Sequence, residues 1–378
     1  MYLSKFYRLP VGSFGGILSK INPRMLGAYL MDQILEKEKN LNLDYLLVGC
    51  TVQASAGPNL SRQIVRQSNR MDDLPTSMIN AGANTALSMV EIATSLIKQN
   101  KSIKNVGLLC VENLSLIPHY AYISPQEVSA ISIKGKNMRN GLVLDASYDY
   151  ENKSFSGIMM EDYLENTELD RHHMDLYTKL SFEKVMRSNY MDNYKDHIVP
   201  VDLNIDDGTK ISLKLDQEYK RKALGRIGSF TSIFKEDGKI TLANASKFGD
   251  GAAFVRISGV KKNGGITITN PEFAFAKATK SLDAGIASAK AILEKEEMQV
   301  DEFEAIEINE SFSSCPLLYM KELNAKEEQI NPYGGNVARA NPTSVGGLIS
   351  LGHATLNKGS TLVSSYDFGG VGMSLIVG

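Results

Sequence analysis

The sequence predicts an α/β protein built as two similar halves, and three observations carry that reading. Strand-like apolar runs alternate with a helical pattern in the first third, the last third repeats the plan, and the middle does neither. At 378 residues the chain exceeds one average domain, so two or three packed units, or one large α/β body, are expected.

"DYLLVGCTV" (44–52) reads as a buried strand. "ALSMVEIATSLIKQ" (86–99) has helical spacing at Leu87, Val90, Ile92, Ala93, Leu96 and Ile97, and "NVGLLCVE" (105–112) is again a strand. Strand, helix and strand in that order call for parallel strands in a sheet covered on its faces. Late in the chain "FEAIEIN" (303–309) reads as a strand, "SVGGLISLGHATLNKG" (344–359) as a helix and "STLVSSY" (360–366) as a strand. The Gly-rich "DFGGVGMSLIVG" then supplies a turn and a last apolar strand. Residues 116 to about 240 are rich in Tyr, Met, Asp, Asn and Lys. Segments there such as "DRHHMDLYTKLSFEKVMRSNYMDNYKDHIVP" show little periodicity, which predicts an inserted loop domain rather than a third sheet.

Composition narrows the function classes. Hydrophobic residues make up 43%, enough for a core, and Lys+Arg 41 against Asp+Glu 43 leaves a net charge of −2. That balance points to neither nucleic acid nor an anionic membrane as a partner. Cys50, Cys110 and Cys315 are far apart, which fits core residues in a reducing cytoplasm and no disulfide framework. "MYLSKFYRLPVG" lacks the apolar core of a signal peptide, and no apolar run is long enough for a membrane span. A soluble cytoplasmic protein is expected. The "FGGVG" cluster does not open a helix, so a dinucleotide loop is discounted.

The stretch "MINAGANTALSM" (78–89) leads from a strand into a helix, where backbone N–H groups and the helix dipole commonly activate a nucleophile. Here the turn offers Ala81, Gly82, Ala83, Asn84 and Thr85, with nothing reactive but a hydroxyl. Asn84 and Thr85 read as helix caps. The His172–His173 pair has no third ligand at a sensible spacing, so no metal is expected.

Several blocks, in one order, resemble the thiolases, the acetyl-CoA C-acetyltransferase family. "LPVGSFGG" (9–16) is similar to the family's opening segment, and "VGCTVQASAGPNLSRQ" (48–63) to its Q-A-G-x-G-x-N-x-x-R-Q block. "TLANASKFGDGAA" (241–253) resembles T-A-G-N-A-S-x-x-N-D-G-A-A, and "EINESFSS" (307–314) the N-E-A-F box. "INPYGGNVARANPTSVGG" (330–347) resembles the block around G-H-P, and "YDFGGVGM" the closing C-x-G-G-G-M-G. The resemblance spans nearly the whole chain. It implies the thiolase fold: two related α/β halves in a five-layered αβαβα arrangement plus a loop domain. The division it implies is 1–115 with 241–258 for the first half, 116–240 for the loop domain and 259–378 for the second half.

A thiolase uses a cysteine nucleophile, a histidine that activates it and a second cysteine that moves a proton. On the family's V-N-x-x-C-G-S-G-L pattern, Ile79 and Asn80 fall on V-N and Ala83 on the nucleophile. Asn341 falls on the histidine and Tyr366 on the second cysteine. His353, in "GGLISLGH", offers a second register, but it would leave too few residues for a helix and a strand before the terminal turn. The resemblance therefore implies an acyl-CoA-binding protein that lacks thiolysis and Claisen condensation. Two alternatives follow: a thioester decarboxylase that needs no nucleophile, and a non-catalytic partner subunit of a thiolase-like complex. For the decarboxylase, Asn309 and Asn341, with the backbone N–H groups of Ala83 and Phe368, would form the oxyanion holes.

By the same resemblance, His173, Met174, Arg221, Phe234, Ser246 and Phe312 contact the CoA ligand. It implies no required cofactor, CoA or acyl-CoA as ligand, and a homodimer or homotetramer through the sheet edge of the first half, or a complex with another enzyme.

Overall fold

The computed structural model describes the chain except for residues 69–70, 122–137, 206–207, 219–221 and 262–263. In the first half, β1 (Tyr2–Arg8) is followed by α1 (Pro23–Lys37), β2 (Tyr45–Gly49), α2 (Leu60–Gln67), β3 (Thr76–Ile79), α3 (Thr85–Gln99) and β4 (Asn105–Asn113). Local chemistry starts these helices: the side chains of Asn22 and Asn59 accept hydrogen bonds from Arg24 N and Arg62 N, and Pro23 sits in the first turn of α1. The middle supplies α4 (Gly141–Ser147), α5 (Ser156–Glu165) and α6 (Arg171–Ser188). Then come β5 (Gly249–Ser258), β6 (Ile266–Thr267), β7 (Glu272–Phe275), α7 (Ser281–Lys295), β8 (Ala305–Ile308), α8 (Ser314–Leu323), α9 (Ser344–His353), β9 (Thr361–Asp367) and β10 (Val371–Val377).

Two sheets result. The first runs β6-β1-β5-β4-β2-β3, with β2 parallel to both β3 and β4 and the remaining pairs antiparallel. The second runs β7-β10-β9-β8, with β8 and β9 parallel. Residues 266–267, beyond the boundary expected at 258/259, hydrogen-bond into the first sheet.

Alternation along the strands builds the layers. On β4, Val106, Leu108 and Cys110 face a core shared with Leu87, Val90 and Ala93 of α3 and with Val345, Leu348 and Ile349 of α9. Val363 of β9 and Met373 and Leu375 of β10 enter that core from the second sheet. The intervening Leu109 and Val111 point the other way, onto Leu26, Leu30 and Met31 of α1 and Ile64 of α2. Leu362, Tyr366 and Ile376 likewise turn outward onto α7 and α8. The central pair α3 and α9 is thus covered by a sheet on each side, and each sheet by outer helices.

The middle is less irregular than its sequence predicts. Its least periodic stretch is the eighteen-residue helix α6. Asp170 caps it through His173 N, and Met174, Tyr177, Thr178, Ser181, Phe182, Val185 and Ser188 form its buried stripe. The spacing is helical, but polar members of the stripe hide it from any reading of hydrophobicity.

Candidate functional site

The turn between β3 and α3 is held by its own side chains. Asn80 accepts the Gly82 N–H through Oδ1 at 3.1 Å and donates through Nδ2 to the Thr51 carbonyl at 2.9 Å. Thr85 Oγ1 accepts the Ala81 N–H at 3.0 Å and donates to the Gly82 carbonyl at 2.7 Å. Gly82 takes φ +55°, a left-handed conformation that costs a residue with a Cβ about 1–2 kcal/mol. These bonds leave the Ala83 N–H pointing out of the turn, just before the N-terminus of α3.

A carboxylate receives it. The Ala83 N–H donates to Asp367 Oδ2 at 3.1 Å, and the Gly369 N–H donates to Asp367 Oδ1 at 2.7 Å. Asp367 ends β9, so this contact ties the closing turn of the second half to the turn of the first. The Ala83 carbonyl is also engaged, accepting from Ser365 Oγ at 3.1 Å and from Asn309 Nδ2 at 3.4 Å. Asn309 Oδ1 in turn accepts from Asn336 Nδ2 at 2.6 Å. Both ends of the Asn309 amide are thus used within the protein, and Asn309 is buried and off the cavity wall.

The turn opens onto a cavity of about 820 Å³. Gly82, Ala83, Thr51, Asn341, Thr343 and Asp367 form one end, and Phe155, Phe234, Phe312 and Phe368 are among its apolar walls. Phe234 and Phe312 meet edge to face at 6.3 Å. Phe234 lies where a side chain on Gly157 would stand, since a Cβ there would come within 2.1 Å of its ring. Ser246 Oγ lies 2.8 Å and 2.9 Å from the carbonyls of Glu310 and Ser311, and Lys247 Nζ pairs with Glu218 at 2.7 Å. Among the described residues that line the cavity, none is Cys or His.

Asn341 borders the cavity with its backbone N–H on the Lys247 carbonyl at 2.7 Å, and its Oδ1 has no hydrogen-bond partner. The preceding Ala340 holds φ +80°, an unusual value for a residue with a Cβ. Behind this end lies Glu112, buried, accepting from Thr51 N at 2.6 Å, Thr343 Oγ1 at 2.8 Å and Ser344 Oγ at 2.6 Å. Burial pushes the Glu112 carboxyl up, against the pull of these donors.

Comparison with known proteins matches residues 2–259 to the thiolase N-terminal domain and 273–356 to the thiolase C-terminal domain. The chain belongs to the thiolase family. Relatives include a "Probable acetyl-CoA acyltransferase" of Staphylococcus aureus strain NCTC 8325, 26% identical over 97% of this chain and 96% of that protein. Its counterpart in strain MRSA252 is 25% identical over the same shares. A solved thiolase, Acat5 from Ascaris suum in complex with coenzyme A, superposes with a TM-score of 0.89 at 23% identity, covering 100% of this chain and 98% of that one. The five-layered architecture is the thiolase fold.

Against the thiolase pattern, the structure brings Ala83, Asn341, Phe234, Ser246 and Phe312 to one cavity and leaves other expected residues outside it. Met174, on α6 from Arg171, is fully buried with Tyr177 in the core of the second half and is not on the wall of this cavity. His173 is exposed, its Nδ1 2.7 Å from Asp170 Oδ1, and also stands off the cavity wall. Arg221 lies outside the described residues. Tyr366 is buried away from the cavity, its hydroxyl 2.9 Å from Cys315 Sγ; burial pushes both groups' pKa values up. Asn309 is held within the protein at both ends of its amide, Nδ2 donating to the Ala83 carbonyl and Oδ1 accepting from Asn336.

His353 is sealed from the cavity. Its Nδ1 faces Glu307 Oε2 and its Nε2 faces the Tyr194 hydroxyl, each at 3.1 Å, and burial holds its pKa well below the usual value. Cys50 and Cys110 are also buried, with thiol pKa values raised by burial. No group of three or more His, Cys, Asp or Glu among the described residues is arranged to hold a metal ion, and no described helix is long and apolar enough to cross a membrane.

Sequence reasoning missed Asp367 and Glu112. Asp367 had a signal, an acid inside the closing Gly-rich turn "YDFGGVG". Glu112 had none, standing next to last in β4 beside the polar Asn113.

Proposed function

We propose that the chain is a thiolase-family protein that binds CoA or acyl-CoA and carries out neither thiolysis nor Claisen condensation. The observation that carries this reading is the cavity itself: roomy, apolar-walled, ending at Ala83, and lined by no Cys or His among the described residues. Without a thiol no acyl-enzyme forms, and losing nucleophile and base together removes roughly 10⁴–10⁶ in rate. The names of the relatives, acetyl-CoA acyltransferases and a thiolase solved with coenzyme A, support the ligand class.

The decarboxylase alternative has less support, because the Ala83 N–H and the Asn309 amide are already engaged inside the protein. Asn341 remains as a polar group at the floor. The partner-subunit alternative predicts a collapsed groove, and the open cavity speaks against it. A homodimer or homotetramer through β3, an edge strand of the first sheet, and a cytoplasmic location complete the proposal.

Calorimetric titration with CoA, acetyl-CoA and malonyl-CoA tests it. Micromolar binding with no acetyl transfer from acetoacetyl-CoA to CoA is the expected result. No binding of any of the three overturns the ligand assignment, and measurable thiolysis overturns the loss of catalysis.

A further inference from the structure

We infer that Asp367 makes the floor of this cavity select the free thiol of CoA over its thioesters. The inference rests on the proposed CoA site, with the pantetheine end reaching the floor. There the backbone offers no open donor at Ala83: that N–H and the Gly369 N–H both end on the Asp367 carboxylate, at 3.1 and 2.7 Å. The carboxylate fits because residue 82 is glycine; a Cβ there would lie 1.9 Å from Asp367 Oδ2. Asp367 is half-buried on the cavity wall and held by backbone alone, while Lys247, the cation among the described lining residues, is paired with Glu218.

A ligand end that meets this floor therefore meets the two carboxylate oxygens of Asp367 as hydrogen-bond acceptors. A thiol can donate its S–H to a carboxylate, whereas a thioester carbonyl has only lone pairs to offer. Placing that carbonyl against the carboxylate leaves an acceptor unpaired and repelled. Hydrogen bonds to charged groups are worth enough for a preference of about tenfold or more for CoA over acetyl-CoA. The same rule favours any ligand end bearing a donor and disfavours a developing enolate.

The test is titration of the wild-type protein and of Asp367→Asn with CoA and with acetyl-CoA in one buffer. Asn has the size of Asp, so steric effects of the acetyl group cancel between the two proteins. The wild type is expected to bind CoA about tenfold more tightly, and the variant to lose or invert that ratio, since an amide N–H can donate to the thioester carbonyl. Asp367→Ala, which frees the Ala83 N–H, is expected to shift the ratio in the same direction and serves if the Asn variant does not fold. A wild-type ratio near one, or an unchanged ratio in a folded variant, overturns the inference while the CoA site stands. Failure of the wild type to bind either ligand overturns the CoA site and the inference with it.

Discussion

Two aspartates join distant segments of this chain, and their surroundings set them apart. Asp367 sits on the cavity floor, held by two backbone N–H groups with open space in front. Asp216 lies at a sealed junction, accepting from Arg8 at 2.6 and 2.9 Å, from Arg339 Nε at 3.1 Å and from the Val11 N–H at 2.8 Å. Both arginines also donate to the Tyr194 hydroxyl, whose other neighbour is His353. Burial pushes the Asp216 carboxyl up, but Arg8 and Arg339 outweigh it and hold the group below its ordinary range. A carboxylate matched by cations closes a joint between the first strand, the middle segment and the second half. One matched only by backbone N–H groups stays available to a ligand.

The largest effect is expected at the sealed joint. Asp216→Ala leaves two buried guanidinium groups without their counter-ion and is expected to destabilise the protein by about 3–5 kcal/mol, read by urea denaturation. A loss below about 1 kcal/mol would mean that the joint behaves like a surface ion pair, and the contrast with Asp367 would collapse.

Asp250 sharpens the comparison from between the two. It is buried like Asp216, yet it accepts from Ser115, through N and Oγ, and from the Leu114 backbone rather than from arginines, and burial pushes its pKa from 3.8 up to about 6. As pH rises from 3.8 toward 6, the unfolded chain gives up this proton first, so the native state loses stability across that window and stays lower above it. Asp250→Asn has no proton to lose. Relative to wild type it is expected to gain about 1–3 kcal/mol between pH 4 and pH 7, seen in denaturation midpoints at the two pH values. A pH-independent difference would show that the Ser115 hydrogen bonds keep Asp250 ionised throughout.

The layers were legible because they follow from periodicity. α3, β4 and β9 lie within a residue or so of where apolar spacing puts them, and the ordered motifs imply the family whose domains match the chain. α6 was not legible, since on its buried face Thr178 and Ser188 donate their hydroxyls to backbone carbonyls and Ser181 Oγ accepts the Gly335 N–H. At the site, motif alignment placed Ala83 and Asn341 on one wall. It could not foresee that Asn309 would be drawn to the Ala83 carbonyl, or that α6 would carry Met174 into the core. Asp367 escaped for a related reason. Its role depends on the space above Gly82, and no pattern in either segment alone shows that the two meet.

That meeting gives the smallest and most direct prediction. Gly82→Ala puts a methyl group where Asp367 Oδ2 now lies and asks a residue with a Cβ to hold φ +55°. The strain is expected to cost about 1–2 kcal/mol, measured by denaturation. The displaced carboxylate releases the Ala83 N–H into the cavity, so binding should move toward acetyl-CoA relative to CoA, as in Asp367→Asn but by a smaller factor. The two readouts separate the two roles of the glycine. Lost stability with an unchanged ligand ratio would mean that Gly82 serves only the turn and that the carboxylate finds another way back to Ala83. A shifted ratio with little lost stability would mean that the turn relaxes, and that glycine is required here because the second half of the chain places an acid against the first.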